Sequence, residues 1–353
     1  MADTNQVNQM QIANVENYPR GLRWVILVGV LLLYLGILGL KESGSLNPYH
    51  IQILCLICIN IVLVVSLNLI NGFTGQFSLG HAGFMAVGAY VSAFLARNVI
   101  NQLTFSGAEW LVTLEKAGLF LLVILAGALV AAFLGFLVGL PTLRLRGDYL
   151  AIATLGLGEI IRILLINLDV VGGARGYAVP KLTNFSWAFW LMVIAVLLMV
   201  NFINSTHGRA CISVREDEIA AEAMGINTTR YKVMAFTLGA FFAGLSGALF
   251  AHLFVYISPQ IFGFLRSIDI LVMVVLGGLG SITGSITAAI FITVVMEMLR
   301  QLVELRVIIF AVILILVMLV RPQGLLGNRE ITDLFRRKQR GDPDEPAQHQ
   351  KAV

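Results

Sequence analysis

The sequence predicts an all-α, polytopic membrane bundle, and three observations carry the prediction. The 353 residues are 58% hydrophobic and only 12% charged, with a mean hydropathy of +0.88, far outside the usage of water-soluble domains. Apolar runs of roughly 17–25 residues, enough to cross a hydrocarbon core about 30 Å thick, recur along the chain. The strict apolar/polar alternation of membrane β-strands is missing from those runs.

Taken in order, residues 1–20 are a polar tail without a small-residue cleavage site after the first apolar run, so that run, Trp24–Leu40, is expected to be kept as a span. The next spans are Ile51–Ile70, which holds Cys55 and Cys58, and Leu79–Ala96. Leu119–Leu140 carries Gly135 and Gly139, Tyr149–Leu168 carries Glu159 and Arg162, and Phe185–Ile203 is rich in aromatic residues at its start. Val233–Ile257 carries the series Gly239, Ala243, Gly247, and Val307–Val320 is the last span. Between these two, Ile268–Leu299 reads either as one oblique helix or as two shorter pieces split around the glycines of "GGLGSITG". The bundle therefore has nine or ten transmembrane helices, with broken or re-entrant segments. Small residues at i, i+4 form smooth stripes that let helix backbones approach closely.

Basic residues in short loops mark the cytoplasmic side. Arg20 and Arg23, Arg144 and Arg146, Arg209, Arg215, Arg230 and Lys232, and "RRKQR" from Arg336 to Arg340 all fall on one side of the threading, which places both termini in the cytoplasm and favours ten crossings. The net charge of +4 then reflects topology, with no stripe suited to nucleic acid. The charged, Pro-containing tail 328–353 reads as disordered, leaving 21–327 as the membrane domain. Cys211 is the third cysteine of an odd count, in a setting poor in ligands, so neither a disulfide framework nor zinc is expected.

One loop, 207–232, stands apart. Arg215, Glu216, Asp217, Glu218 and Glu222 crowd around a short run of helix formers, and Gly225 is placed to end it. Such a helix is either a solvated connector or a docking element. Its core, "AAEAMG" from Ala220 to Gly225, resembles the cytoplasmic loop of bacterial ABC importer permeases, except that Ile219 stands where that pattern has glutamate. "LRLRGDYLAIATLGLGEIIRILLIN", "GRACISVREDEIAAEAMGI", "VVLGGLGSITGSI" and "RPQGLL" are similar, in order, to the permeases of branched-chain amino acid ABC importers of the LivM-like branch. The resemblance implies a subunit of an inner-membrane importer for branched-chain or other neutral amino acids, or for urea and amides as related permeases carry. It implies as partners a second homologous permease, cytoplasmic ATPase subunits that bind ATP and Mg, and a periplasmic solute-binding protein. Arg215 to Glu218, Ala220, Ala221, Glu222 and Gly225 would then couple to the ATPase. No G-x-x-x-x-G-K-[ST] occurs, so the chain has no P-loop of its own and no enzymatic role is assigned to it.

The stretch "NGFTGQFSLGHAGF" interrupts the bundle with glycines and polar groups. Irregular backbone at membrane depth is tolerated only where protein or a watery cavity satisfies it, and transporters aim such broken elements at polar substrates. Gly75, Gln76, Ser78, Gly80 and His81, with Gly277, Gly278 and Gly280 as a counterpart in the second half, are accordingly candidates for the translocation path, alongside Thr154 and Glu159 in the intervening span. The competing reading is a tight turn with His81 as a packing residue. Glu159 and Arg162, at i, i+3, pair with each other for structure, or face the path or a neighbouring permease. An ion-coupled secondary transporter remains the alternative class, although few carboxylates stand inside the spans to relay an ion.

Overall fold

The computed structural model describes residues 20–44, 47–100, 109–142, 145, 147–301, 311, 312, 315 and 319. Helix α1 runs Arg20–Glu42, and α2, Pro48–Asn68, continues through a π-helical turn, Leu69–Phe73. There follow α3 His81–Leu95, α4 Glu109–Thr142, α5 Asp148–Asn167 and α6 Phe185–Asn204. Two short helices, α7 Thr206–Glu216 and α8 Glu218–Ala223, lead into α9, Thr228–Phe254. The bundle ends in α10, Phe264–Gly277, and α11, Ile282–Met298. At the opposite end of α9 from α7 and α8, the two-residue strands β1 (Tyr177–Ala178) and β2 (Tyr256–Ile257) pair antiparallel.

Among the described residues, five helices are long and apolar enough to cross a membrane: Pro48–Phe73, Glu115–Thr142, Asp148–Asn167, Phe185–Asn204 and Thr228–Phe254. The region Ile268–Leu299 is two helices: α10 ends at Gly277, and Gly278 and Gly280 take positive φ angles of 105° and 85° before α11 begins. The expected span Leu79–Ala96 is α3 continued by a π-helical turn, Ala96–Ile100, and it is preceded by an irregular passage, Thr74–Gly80. The span Val307–Val320 and the disordered tail expected over 328–353 fall almost wholly or wholly outside the described residues.

The core forms where α9 meets α2, α3 and α4, and small residues set the closeness of the approach. A Cβ on Gly247 would stand 1.9 Å from the Met85 carbonyl oxygen, and one on Gly88 would stand 2.1 Å from that of Gly244. These backbones touch, so an alanine at either position would force helices apart. Around this seam Phe84 and Phe236 pack edge to face, 5.5 Å between ring centres. Against this interior, α5 turns Tyr149, Ile152, Ile160 and Ile163 outward.

Candidate functional site

The loop that carries α7 and α8 is held by its own side chains. Ser205 caps α7, accepting from the Gly208 N–H, and Asp217 caps α8, accepting from the N–H groups of Ile219 and Ala220 at 2.9 and 3.0 Å. Asn227 caps α9 by accepting from Arg230 N–H at 3.0 Å. Glu218 pairs with Lys232 at 2.7 Å, and the Thr228 hydroxyl donates to Glu222 at 2.7 Å, so both carboxylates clamp α8 onto the first turn of α9. Ala221 is buried against that junction, and Gly225, at φ 83°, makes the left-handed exit. The surface left over is mixed: Ile219 is 71% exposed and Met224 83%, beside the exposed Glu216, Asp217, Glu222 and Arg230. Sequence reasoning chose the charges and passed over these two. The signal available was an isoleucine and a methionine standing in an otherwise charged run.

The first break begins where the π turn ends. The N–H of Gln76 donates to the Ile70 carbonyl at 3.1 Å and that of Ser78 to the Asn71 Oδ1 at 3.2 Å, folding the chain back beside α2. The passage then runs without regular secondary structure, and exposure alternates along it: Gly75 and Phe77 are exposed, whereas Gln76, Ser78 and Gly80 are buried. It is docked on α5, where the Leu79 N–H donates to the Thr154 hydroxyl at 3.1 Å and a Cβ on Gly80 would meet the Thr154 carbonyl oxygen at 2.2 Å. Helix α3 opens with His81, whose Nε2 lies 2.8 Å from the Ser66 hydroxyl, and the Ala82 N–H donates to Ser267 of α10 at 3.2 Å. Both amide atoms of Gln76, the Ser78 hydroxyl, the Asn71 Nδ2 and the His81 Nδ1 are buried without a hydrogen-bond partner. Such a group of orphaned polar atoms is what ordered water or a passing polar solute satisfies.

The second break lies against the π turn that leads into the first, and Asn68, the last residue of α2, holds it there. Its Oδ1 accepts from the Gly280 N–H at 2.9 Å, while its Nδ2 donates to the Ser281 carbonyl at 2.9 Å and the Ser285 hydroxyl at 2.7 Å. Gly277 and Gly284 close the hairpin, for a Cβ on Gly277 would stand 2.6 Å from the Gly284 carbonyl oxygen. The glycines of the two halves, separated by some two hundred residues, are thus brought together by an asparagine that the sequence reading did not single out.

Glu159 and Arg162 pair at 2.7 Å, each about 30% exposed. They form one wall of an open concavity of about 400 Å³, whose other wall is Gln260, Phe264, Arg266 and Asp269. Arg266 reaches inward to the Asn60 Oδ1 at 2.8 Å, and Asn60 in turn donates to Thr293 at 2.9 Å. Charges of both signs therefore line the concavity between α5 and the start of α10, and Glu159 also borders a small cavity with Leu79 of the first break. Thr154 belongs to the first break, and Glu159 stands between that break and the concavity.

A predominantly helical bundle, with five described helices long and apolar enough to cross a membrane, is the architecture of a multi-pass membrane protein. Residues 49–318 match the model of a family described as the branched-chain amino acid transport system / permease component. The chain belongs to this family of ABC importer permease subunits. It is 37% identical over 312 residues to the high-affinity branched-chain amino acid transport system permease protein LivM of Salmonella typhimurium, covering 78% of this chain and 69% of that protein. To LivM of Escherichia coli K12 it is 38% identical over the same shares. The permease protein LivH of the same organism is 27% identical over 294 residues, 76% of this chain and 92% of that one. No solved structure matches the chain.

Proposed function

We propose that this chain translocates branched-chain or other neutral amino acids across a bacterial inner membrane, driven by ATP hydrolysis in a separate subunit that grips α7 and α8. The observation that carries the reading is the exposed pair Ile219 and Met224 on a helix clamped by its own carboxylates. Apolar side chains on a rigid, water-facing knob mark a protein contact. The named relatives supply the substrate class. In this reading both termini are cytoplasmic, residues 21–327 form the membrane domain, and ATP and Mg reside on the partner. A periplasmic binding protein delivers the solute. A second homologous permease completes the path, and the concavity bounded by Glu159, Arg162, Arg266 and Asp269 faces the seam between the two permeases.

The physical logic is that of a lever. Closure of the ATPase pushes on Ile212–Ile226, and the loop-facing ends of the helices that meet it tilt, turning the cavity from one side of the membrane to the other. No covalent chemistry is assigned to this chain. To test the reading, Ile219→Asp and Met224→Asp are introduced together in the assembled complex. The expected result is at least about a tenfold loss of co-purifying ATPase, the scale of truncating two interface anchors, with uptake of labelled leucine falling to background. Uptake that persists at normal abundance would overturn the docking surface. Retained urea uptake without amino acid uptake in the unaltered complex would reassign the substrate.

A further inference from the structure

Arg215, in the last turn of α7, does not point toward the surface that Ile219 and Met224 form. Its Nε donates to the Glu216 carboxylate at 3.0 Å, and its Nη2 contacts the same oxygen. Its Nη1 donates to the Gly72 carbonyl, in the π turn that ends α2, at 2.9 Å. Carbonyls at a helix C-terminus lack partners and carry partial negative charge, so a guanidinium is the favoured donor there. The side chain is about 29% exposed, which places this charge-assisted bond largely out of water.

Both breaks leave room for it. A Cβ on Gly75 would stand 2.9 Å from the Arg215 Cγ, and one on Gly280 would stand 2.9 Å from its Nη1. Gly72 and Gly280 are themselves in contact, since a Cβ on Gly72 would lie 2.4 Å from the Gly280 nitrogen. The arginine therefore occupies a notch whose walls are the three glycines of two interruptions far apart in sequence. Any side chain at Gly75 or Gly280 would compete with it for that space.

We propose that Arg215 is a positioning residue that ties the loop helix to both breaks at once, so that displacement of α7 moves the ends of α2 and of α10–α11 as a single unit. The inference rests on the reading that α7 and α8 receive the ATPase, and adds the route by which their motion enters the bundle. The geometry also assigns unequal roles to neighbours. Glu216 orients the guanidinium from the exposed side and is secondary, whereas the bond to Gly72 is the connection.

The complete complex is reconstituted in vesicles, and solute moved per ATP hydrolysed is measured. Arg215→Ala is expected to lower that ratio about tenfold or more, as for loss of a shielded charge-assisted bond, while the ATPase still co-purifies. Arg215→Lys, whose ammonium can donate to Gly72 without bridging Glu216 as well, is expected to fall in between. Glu216→Gln is expected to change the ratio by less than about twofold, as exposed pairs do. A merely structural arginine would lower abundance and leave the ratio of the surviving complexes untouched. An unchanged ratio in Arg215→Ala overturns the proposal, and so does an unchanged ratio in Arg215→Met, which keeps an aliphatic stem but has no donor for Gly72, should the alanine variant not accumulate. Release of the ATPase by the Ile219 and Met224 variants, combined with an unchanged ratio here, would sink this inference alone. Failure of those variants to release it would sink the docking reading instead.

Discussion

The two interruptions of the bundle meet at Asn68, yet they treat their polar atoms in opposite ways. Across Gly278–Ser281 the Gly278 N–H donates to the Val274 carbonyl at 3.0 Å, the Gly280 N–H to Asn68, and the Ser281 hydroxyl accepts from the Gly284 N–H at 3.1 Å. Across Thr74–Gly80 and its flanks, Gln76, Ser78, Asn71 and His81 keep buried polar atoms with no partner. A buried group without a partner costs roughly 1–3 kcal/mol. A fold that leaves several together is either wet there or uses them on something that passes. The second break is a closed joint, and the first is a polar interior with hydrogen-bonding capacity to spare.

The joint is the part whose loss should be felt most. Asn68→Leu removes the bonds to Gly280, Ser281 and Ser285 and strands the half-buried Gly280 N–H, whereas the Ser281 carbonyl keeps the N–H and hydroxyl of Ser285. The expected cost is about 3 kcal/mol or more, read as a lower thermal midpoint in detergent, with uptake abolished. A stable, active Asn68→Leu protein would show that the second break closes without this side chain, and the contrast between the breaks would lose its basis.

Gln76→Leu probes the other side of the contrast and should behave in the opposite way. Its amide bonds to nothing in the protein, so an apolar side chain of similar size should leave the thermal midpoint unchanged or slightly higher. Transport is expected to suffer: under the proposed path, uptake falls about tenfold, the scale of one hydrogen bond withheld from solute or water. Stability retained with uptake lost would sharpen the distinction between joint and passage. Stability lost would mean that Gln76 has a role in folding that the orphaned amide does not reveal.

Much of this was legible in the sequence, for a physical reason. Span length and apolarity are properties of local composition, so the helices from Ile51 to Ile203 and around Val233–Ile257 lie close to where the hydropathy puts them, and the glycines of "GGLGSITG" mark the split that parity had favoured. The site was legible only as a set of residue types. That Phe77 is exposed between buried Gln76 and Ser78 depends on how the irregular passage docks against α2 and α5, which a glycine-rich stretch does not announce. That Glu218 serves Lys232 and Arg215 serves Gly72 depends on partners 14 and 143 positions away. Charge in a loop signals importance of some kind, but pairing decides which charges remain for a partner. Here it left Ile219 and Met224 exposed beside Glu216, Asp217 and Arg230.

The smallest effect expected concerns Cys211, the one cysteine outside the spans, which packs where α7 meets the first break. Burial pushes its thiol from 9.0 up to about 11, and its Sγ donates to the Tyr231 carbonyl at 3.8 Å. The raised value disfavours the thiolate in the folded protein, so the group adds nothing to stability at neutral pH and lowers it only as pH climbs above 9.0, where the unfolded chain would ionise first. Reactivity is the sharper measure, because the thiolate is the nucleophile. In a chain with Cys55 and Cys58 replaced by alanine, alkylation of Cys211 should rise about tenfold per pH unit from 7 to 10 without levelling. If the loop helix and the first break travel together, as the Arg215 connection requires, that profile stays the same when the ATPase is trapped in its closed state. A profile that bends near pH 9 only in the trapped state would mean that α7 parts from Thr74 during the cycle, and the first break would then be driven by release from the loop instead of by attachment to it.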